Sequence, residues 1–333
     1  MNSSNKNKIV LITGATGAVG PCVVQAFHEA GYQIRSFSFD SLAAGLFPQG
    51  VENLIGDVTH QEAVQSAMQG VDAVVHLAAL LHIDNPSPEM RERYERVNVG
   101  GTSTVVDAAI KTGVKRVVLF STIAVYGHSN GCVLNEMSPT NPDTFYAQTK
   151  LDAEKIVLNA ISASGQQLGT VLRLGAIYGS RIKGNYERLT RALAHHQFIP
   201  IGNGLNRRTL VYDKDVGRAA VLAVAHPIAA GRIFNVTDGG YHTLSEIIRS
   251  ICSALGRRLP RWSLPVSAVR IVAGLIEKAA NTIGIKAPVT LETINKYTED
   301  IAVDGGLIQR ELGFMPQYNL MAGWEETVKE MQA

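Results

Sequence analysis

The chain is predicted to be an α/β protein, a doubly wound parallel sheet with a smaller lobe built by its later part. Three observations predict this. Short β-rich runs alternate with helical stretches through the first half. Most of those runs are dominated by apolar residues, as parallel strands covered on both faces are. After residue 178 the alternation loosens into longer loops, short helices and prolines.

Taken in order, "KIVLITG" reads as a strand and "AVGPCVVQAFHEAG" as the helix after it. "QIRSFSF" and "VENLIGD" are the next two strands, "HQEAVQSAMQG" a helix and "DAVVHLAA" a strand. One long helix is expected through "MRERYERVNVGGTSTVVDAAIKTG", then the strand "KRVVLFS". "YAQTKLDAEKIVLNAI" is a helix and "GTVLRLGAIYG" a single strand. Crossovers between such parallel strands are right-handed, and ligands bind beyond the strands' carboxyl ends. "RTLVYDKDVGRAAVLAVAH" is expected to return a strand and a helix to the main sheet. The larger domain is therefore placed at 1–178 and about 207–242, and the smaller lobe at 179–206 and about 243–333. There is no internal repeat and no low-complexity tract.

A chain of 333 residues can bury a large core. Its formal net charge of +2, without a long basic run, gives no electrostatic case for nucleic acid. Cys22, Cys132 and Cys252 are far apart and in no metal spacing, so neither a disulfide framework nor a metal site is expected. With no secretory signal in the polar start "MNSSNKNK", the expected location is the cytoplasm. Residues 264–285 are the longest apolar segment, but Arg270, Glu277 and Lys278 interrupt it. It falls short of the about 20 apolar residues of a membrane span. It reads as a buried or lid helix of the smaller lobe, with an interfacial membrane helix as the alternative. A homodimer is among the assemblies open to such a chain.

"TGATGAVG" sets Gly14, Gly17 and Gly20 between the first strand and the first helix. Glycines there permit a tight turn and close approach of backbone to a pyrophosphate, which a helix N-terminus stabilises. Thr16, Ala18 and Val19 complete this candidate dinucleotide loop. NAD selection would need an acidic residue at the end of the second strand. By register that position is Ser38, with Asp40 slightly too late, and Arg35 lies inside the strand. The cofactor is thus NAD or NADP, with a lean to NADP.

Tyr146 and Lys150 stand four residues apart on a helix, so they share one face. A nearby ammonium is expected to lower the tyrosine's pKa and make it a usable acid or base. The alternative is a half-buried tyrosine beside a surface lysine.

The glycine loop, "HLAA" at 76–79, "YERVNVGGT" at 94–102, "FSTIAVYG" at 120–127 and "YAQTK" occur in that order. Together, and with "ELGFMP" near the C-terminus, they resemble the extended short-chain dehydrogenases/reductases, the NAD-dependent epimerase/dehydratase family. The resemblance runs from about residue 8 to the end of the chain. It implies a Rossmann-type domain and a role for each matching residue. Tyr146 would be the general acid/base. Lys150 would lower its pKa and hold the nicotinamide ribose. Thr122 would bond the reacting oxygen, with Ser121 beside it as the alternative. Asp57, next to Val58, would contact the adenine, although a turn residue is the other reading. Leu77, Ala78 and Ala79 would line the cofactor. Asn98 would serve the central helix, as a packing residue or in catalysis.

Three stretches bear on the substrate. Dehydratases of the family carry an Asp-Glu pair after the hydroxyl residue, and here Ile123 and Ala124 stand there, which argues against a 4,6-dehydratase. In "NRRTLVYDKDV", Arg208 resembles the family arginine that grips a nucleotide-sugar diphosphate, with a surface salt bridge as the other reading and Arg207 facing the other way. "YGSRIKGNYERL" resembles the substrate segment of UDP-4-keto-sugar 4-reductases, with that of 4-epimerases as the alternative, and the resemblance would bring Lys183, Asn185 and Tyr186 to the nucleotide. His82 would be a further sugar contact, with a solvated loop histidine as the other reading. Ala176 replaces an asparagine common in UDP-sugar epimerases. The expected activity is thus hydride transfer at C4 of a nucleotide sugar, foremost as a 4-reductase. A UDP-sugar 4-epimerase is the second reading, a hydroxysteroid-dehydrogenase-like oxidoreductase the third. A non-catalytic dinucleotide sensor is disfavoured by the retained Tyr146, Lys150 and Thr122.

Overall fold

The computed structural model describes residues 5–81, 83, 86–282 and 290–332. In chain order its first elements are β1 (Ile9–Thr13), α1 (Gly20–Glu29), β2 (Gln33–Ser38), β3 (Glu52–Ile55), α2 (Gln61–Ala67) and β4 (Ala73–His76). Then come α3 (Pro88–Tyr94), a π-helical turn (Glu95–Gly100), α4 (Gly101–Thr112), β5 (Arg116–Thr122) and a 3-10 turn (Ile123–Tyr126). They are followed by β6 (Val133–Leu134), α5 (Phe145–Leu158), β7 (Gly169–Leu174), β8 (Ala176–Tyr178) and α6 (Asn185–Ala194). Next are β9 (Arg207–Arg208), β10 (Leu210–Tyr212), α7 (Asp213–Ala225), β11 (Arg232–Val236) and β12 (His242–Thr243). Last are α8 (Leu244–Ala254), α9 (Val266–Thr282), α10 (Leu291–Thr298), β13 (Ala302–Val303), α11 (Gly306–Leu312) and α12 (Leu320–Gln332).

Among the described residues a seven-stranded sheet runs β11-β7-β5-β4-β1-β2-β3, every neighbouring pair parallel. The chain leaves β1 toward β2 and β3 on one side and returns to β4 on the other, so the order reverses between β1 and β4. Alternate strand residues feed opposite faces. Val10, Ile12, Val118 and Phe120 pack with Phe27 of α1 and Val216 of α7. Leu11, Val117 and Leu119 pack with Val64 of α2, Val105 of α4 and Val157 of α5. A third apolar cluster joins Tyr178 and Tyr212 to Leu193, Ile247, Ile251 and Trp324 of the later helices.

Three expectations need correction. The helix expected through 90–113 starts at Pro88, behind an N-cap in which Ser87 accepts from Met90 N, and carries a π turn in its middle. The strand expected over 169–179 breaks at Gly175, whose amide donates to Val236 O, and a Cβ there would come within 3.1 Å of the Leu210 carbonyl carbon. β8 therefore leaves the main sheet and pairs with β10. The segment 208–225 consequently adds no strand to the main sheet; only its helix α7 packs there, against α1. The sheet closes instead with β11, "RIFNV" between Gly231 and Gly239, a short run bounded by glycine that the sequence reading passed over.

Candidate active site

β1 delivers the chain to a turn at the sheet's carboxyl edge. Gly14 sits at φ +69°, its amide bonded to Phe37 O at 2.8 Å. A Cβ on it would lie 2.8 Å from the Ala78 backbone, so only glycine lets this turn pack on the strand end beyond β4. Gly17 N bonds Gly14 O at 3.0 Å and Gly20 N bonds Gly17 O at 3.2 Å, winding Thr16, Ala18 and Val19 into the mouth of α1. Gly17 is exposed. Ser38, buried at the end of β2, accepts from Thr16 N at 3.2 Å. Opposite the loop, Leu77 N bonds Thr13 O and Ala78 N reaches Thr13 Oγ1, and Ala79 follows, partly buried. This exposed glycine turn, opening a ten-residue helix across the order reversal, fits a dinucleotide pyrophosphate. Arg35 is spent elsewhere, on Glu52 and the carbonyls of Ala67 and Gln69. Asp57 accepts from the amide and hydroxyl of its neighbour Thr59, a turn contact, and Val58 packs where a Gly101 side chain would be.

Asn98, in the π turn and 1% exposed, ties this edge to α5. Its Oδ1 accepts from Leu80 N at 2.8 Å, and its Nδ2 donates to Leu80 O and to Thr149 Oγ1. Thr149 in turn donates to Tyr146 O at 2.8 Å. α5 begins where Thr144 caps Ala147 N, and it runs against β5. Tyr146 is half-buried and Lys150 is 3% exposed. The expected acidic tyrosine is not what this geometry gives. Burial, with the Tyr94 phenol beside it, pushes Tyr146 up to about 12. Burial pulls Lys150 down to about 8 while Glu154 opposes it. Burial and the neighbouring phenol set the tyrosine's proton affinity, and spacing along a helix reveals neither.

Thr122 ends β5, half-buried, and its hydroxyl caps the following 3-10 turn by accepting from Ala124 N at 3.1 Å. Ser121 is committed elsewhere: it donates to Glu154, which also forms a bidentate pair with Arg173 at 2.6 Å. Arg173 lies 4.7 Å over the Tyr126 ring, and Tyr126 donates to Asn235 of β11. The same core holds His76, bonded to Thr13 Oγ1 at 2.7 Å and Thr102 Oγ1 at 3.1 Å. Burial, with the Lys150 charge, drives His76 down to about 3. Sequence reading missed Glu154 and His76 as members of this site. The i+4 spacing of Glu154 from Lys150 was the available signal for the first, and the "HLAA" run, which begins at His76, for the second.

The proposed sugar-side residues are more scattered. Arg208 donates to Lys296 O and to Tyr297 O at the end of α10 and stands 3.6 Å from Glu299. Arg207, on the other side of β9, forms a bidentate pair with Asp300 at 2.6 Å. Tyr186, near Arg208, is pushed up to about 12 by burial while that arginine opposes it. Asn185 is the exposed first residue of α6, and Lys183 is exposed just before it. His82 lies outside the described residues.

The model of the NAD dependent epimerase/dehydratase family matches residues 10–237. The chain is 27% identical to the UDP-glucose 4-epimerase of Vibrio cholerae, covering 97% of this chain and 95% of that protein. It is also 27% identical to the N-acetyl-alpha-D-glucosaminyl-diphospho-ditrans,octacis-undecaprenol 4-epimerase of Escherichia coli O157:H7, over 97% and 95%. Among solved structures, MoeE5 in complex with UDP-glucose and NAD superposes with a TM-score of 0.76 at 23% identity, covering 97% of this chain and 98% of that one.

Proposed function

We propose, given that this chain belongs to the NAD-dependent epimerase/dehydratase family and is an enzyme of that oxidoreductase/epimerase type, that it reduces a 4-keto nucleotide sugar at C4. The carrying observation is the pair Tyr146 and Lys150 on one face of α5, packed on the strand that ends in Thr122. A bound nicotinamide supplies the hydride to the carbonyl carbon. Tyr146 gives its Oη proton to the carbonyl oxygen, and that phenol is kept protonated by burial until it is needed. Lys150, largely cationic at pH 7, stabilises the phenolate left behind. Thr122 holds the reacting oxygen through its hydroxyl. Ile123 and Ala124 offer no second acid or base for loss of water. Gly14, Gly17 and Gly20 hold the pyrophosphate, Asn98 braces the loop, and Arg208 grips the sugar diphosphate.

Ser38 favours the reductase reading with NADPH. It places a hydroxyl, bonded to Thr16 N, where a carboxylate would repel a 2′-phosphate. The two relatives named as 4-epimerases favour the second reading, a UDP-sugar 4-epimerase that keeps its NAD. Assay of the purified protein decides between them. A reductase consumes NADPH in step with a UDP-4-keto sugar and yields one alcohol. An epimerase interconverts UDP-sugars at C4 with retained NAD and no net change in absorbance. No turnover of either substrate class, with dinucleotide bound, overturns both readings.

A further inference from the structure

Helix α9 carries an apolar stripe on its outer side. At about 100° per residue, Ala268, Val272, Leu275 and Ala279 form one stripe with Ile271 at its edge. All five are exposed, with Ile271 at 65%, Val272 at 54% and Leu275 at 63%. The opposite side packs inward through Ala273 and Ala280, 2% and 4% exposed, with Val266, Val269 and Ile276 half-buried. Beside it Arg270 donates to Asn295 of α10, and Glu277 accepts from Leu291 N at 3.2 Å. The helix is thus apolar on both sides, and the core-facing side leaves the outward aliphatic stripe uncovered.

The approach to α9 continues the pattern. Leu259, Leu264 and Trp262 are exposed, Trp262 by 83%, among exposed Arg257, Arg258 and Arg261. Residues 257–282 hold five basic side chains and one acidic, a formal +4 within a chain of +2, so the remainder is net negative. Basic charge, an aromatic belt residue and an outward aliphatic stripe on one short segment match the requirements of a surface that lies in the headgroup region of a bilayer. Among the described residues no helix is long and apolar enough to cross a membrane. A second copy of this chain would set one +4 face against another, which disfavours self-association.

We propose that the face from Arg257 to Ala279 docks, in the plane of the surface, on an anionic lipid bilayer. The full-length protein is tested by co-sedimentation with vesicles of phosphatidylcholine alone or mixed with phosphatidylglycerol. Binding is expected to the mixed vesicles and to weaken as salt is raised. Each basic side chain near an anionic surface contributes about fivefold, so Arg257→Gln, Arg258→Gln and Arg261→Gln together should lower partitioning about 100-fold. Ile271→Ser, Val272→Ser and Leu275→Ser together should lower it at least about tenfold. These positions are exposed, and an unchanged circular-dichroism melt confirms folding. Trp262 emission should shift to the blue on binding, and Trp262→Phe should abolish the shift, since Trp324 is already buried. Absence of binding to mixed vesicles, or binding by both triple variants as tight as the wild type's, overturns the proposal. A wild-type dimer that the serine variant converts to monomer, without lipid binding, overturns it in favour of a second copy.

Discussion

Glu154 and Arg173 form a buried ion pair, 1% and 3% exposed at their side chains, one helical turn beyond Lys150. The pair also takes the Ser121 hydroxyl and stacks on Tyr126. Removing one partner strands the other charge out of water. Glu154→Gln is therefore expected to cost about 3–5 kcal/mol of folding stability in urea denaturation. Glu154→Leu with Arg173→Met should recover most of that loss, because both desolvation costs go together. Glu154 also holds Lys150 up against burial. In Glu154→Gln the loss of turnover at high pH should begin at a lower pH than in the wild type. Wild-type stability and an unmoved profile in the single variant would dismiss the pair's role.

Tyr146→Phe keeps the ring against Tyr94 and removes the proton. Turnover of the confirmed substrate should fall at least about 100-fold, with dinucleotide affinity little changed by calorimetry. A variant that turns over normally would leave Tyr146 a packing residue.

His76 carries a pH signature. Its folded value, about 3, lies below the unfolded value of about 6.5. The unfolded chain therefore takes up the proton first, and stability present above pH 6.5 is lost as pH falls toward 3. By pH 5 the loss from this residue alone is about 2 kcal/mol. His76→Gln can still meet Thr13 and Thr102, so its stability should drop less between pH 7 and pH 5. Parallel slopes for the two proteins would show that His76 does not drive the acid sensitivity.

Arg208→Ala should weaken binding of UDP-sugars about 10- to 150-fold, the worth of a hydrogen bond to a charged group, and leave NAD(P)H binding intact. Lysine should restore only part, having no planar fork. Because Arg208 also caps carbonyls at the end of α10, the variant's melting temperature is measured alongside. Undiminished UDP-sugar affinity in the folded variant would reject the diphosphate contact.

Much of the molecule was legible because its signals are local. The glycine turn, the apolar strands and the Tyr146–Lys150 spacing each sit within a few residues, and the structure places β1, α1 and α5 within a few residues of where those signals fall. What was not legible depends on partners far along the chain. β8 leaves the sheet because Gly175 bonds Val236 and crowds Leu210, some thirty-five to sixty residues on. Tyr146's proton affinity follows from burial against Tyr94, which no spacing rule encodes. Segment 264–285 showed its mixed character in sequence, but which side of α9 faced out follows from its packing on α10, which buries Ala273 and Ala280.

The late arrival of β11 shapes how the chain is born. β7 is buried along its whole length, yet one of its two sides is covered only by β11. On a ribosome β7 emerges before β11, so a β7 paired with β5 alone leaves its other backbone edge unmade. For that interval it is an open edge of Val171, Leu172 and Leu174, ready to pair with a neighbouring nascent chain. A chaperone that shields chains between the synthesis of β7 and of β11 would govern how much of this protein reaches its native state.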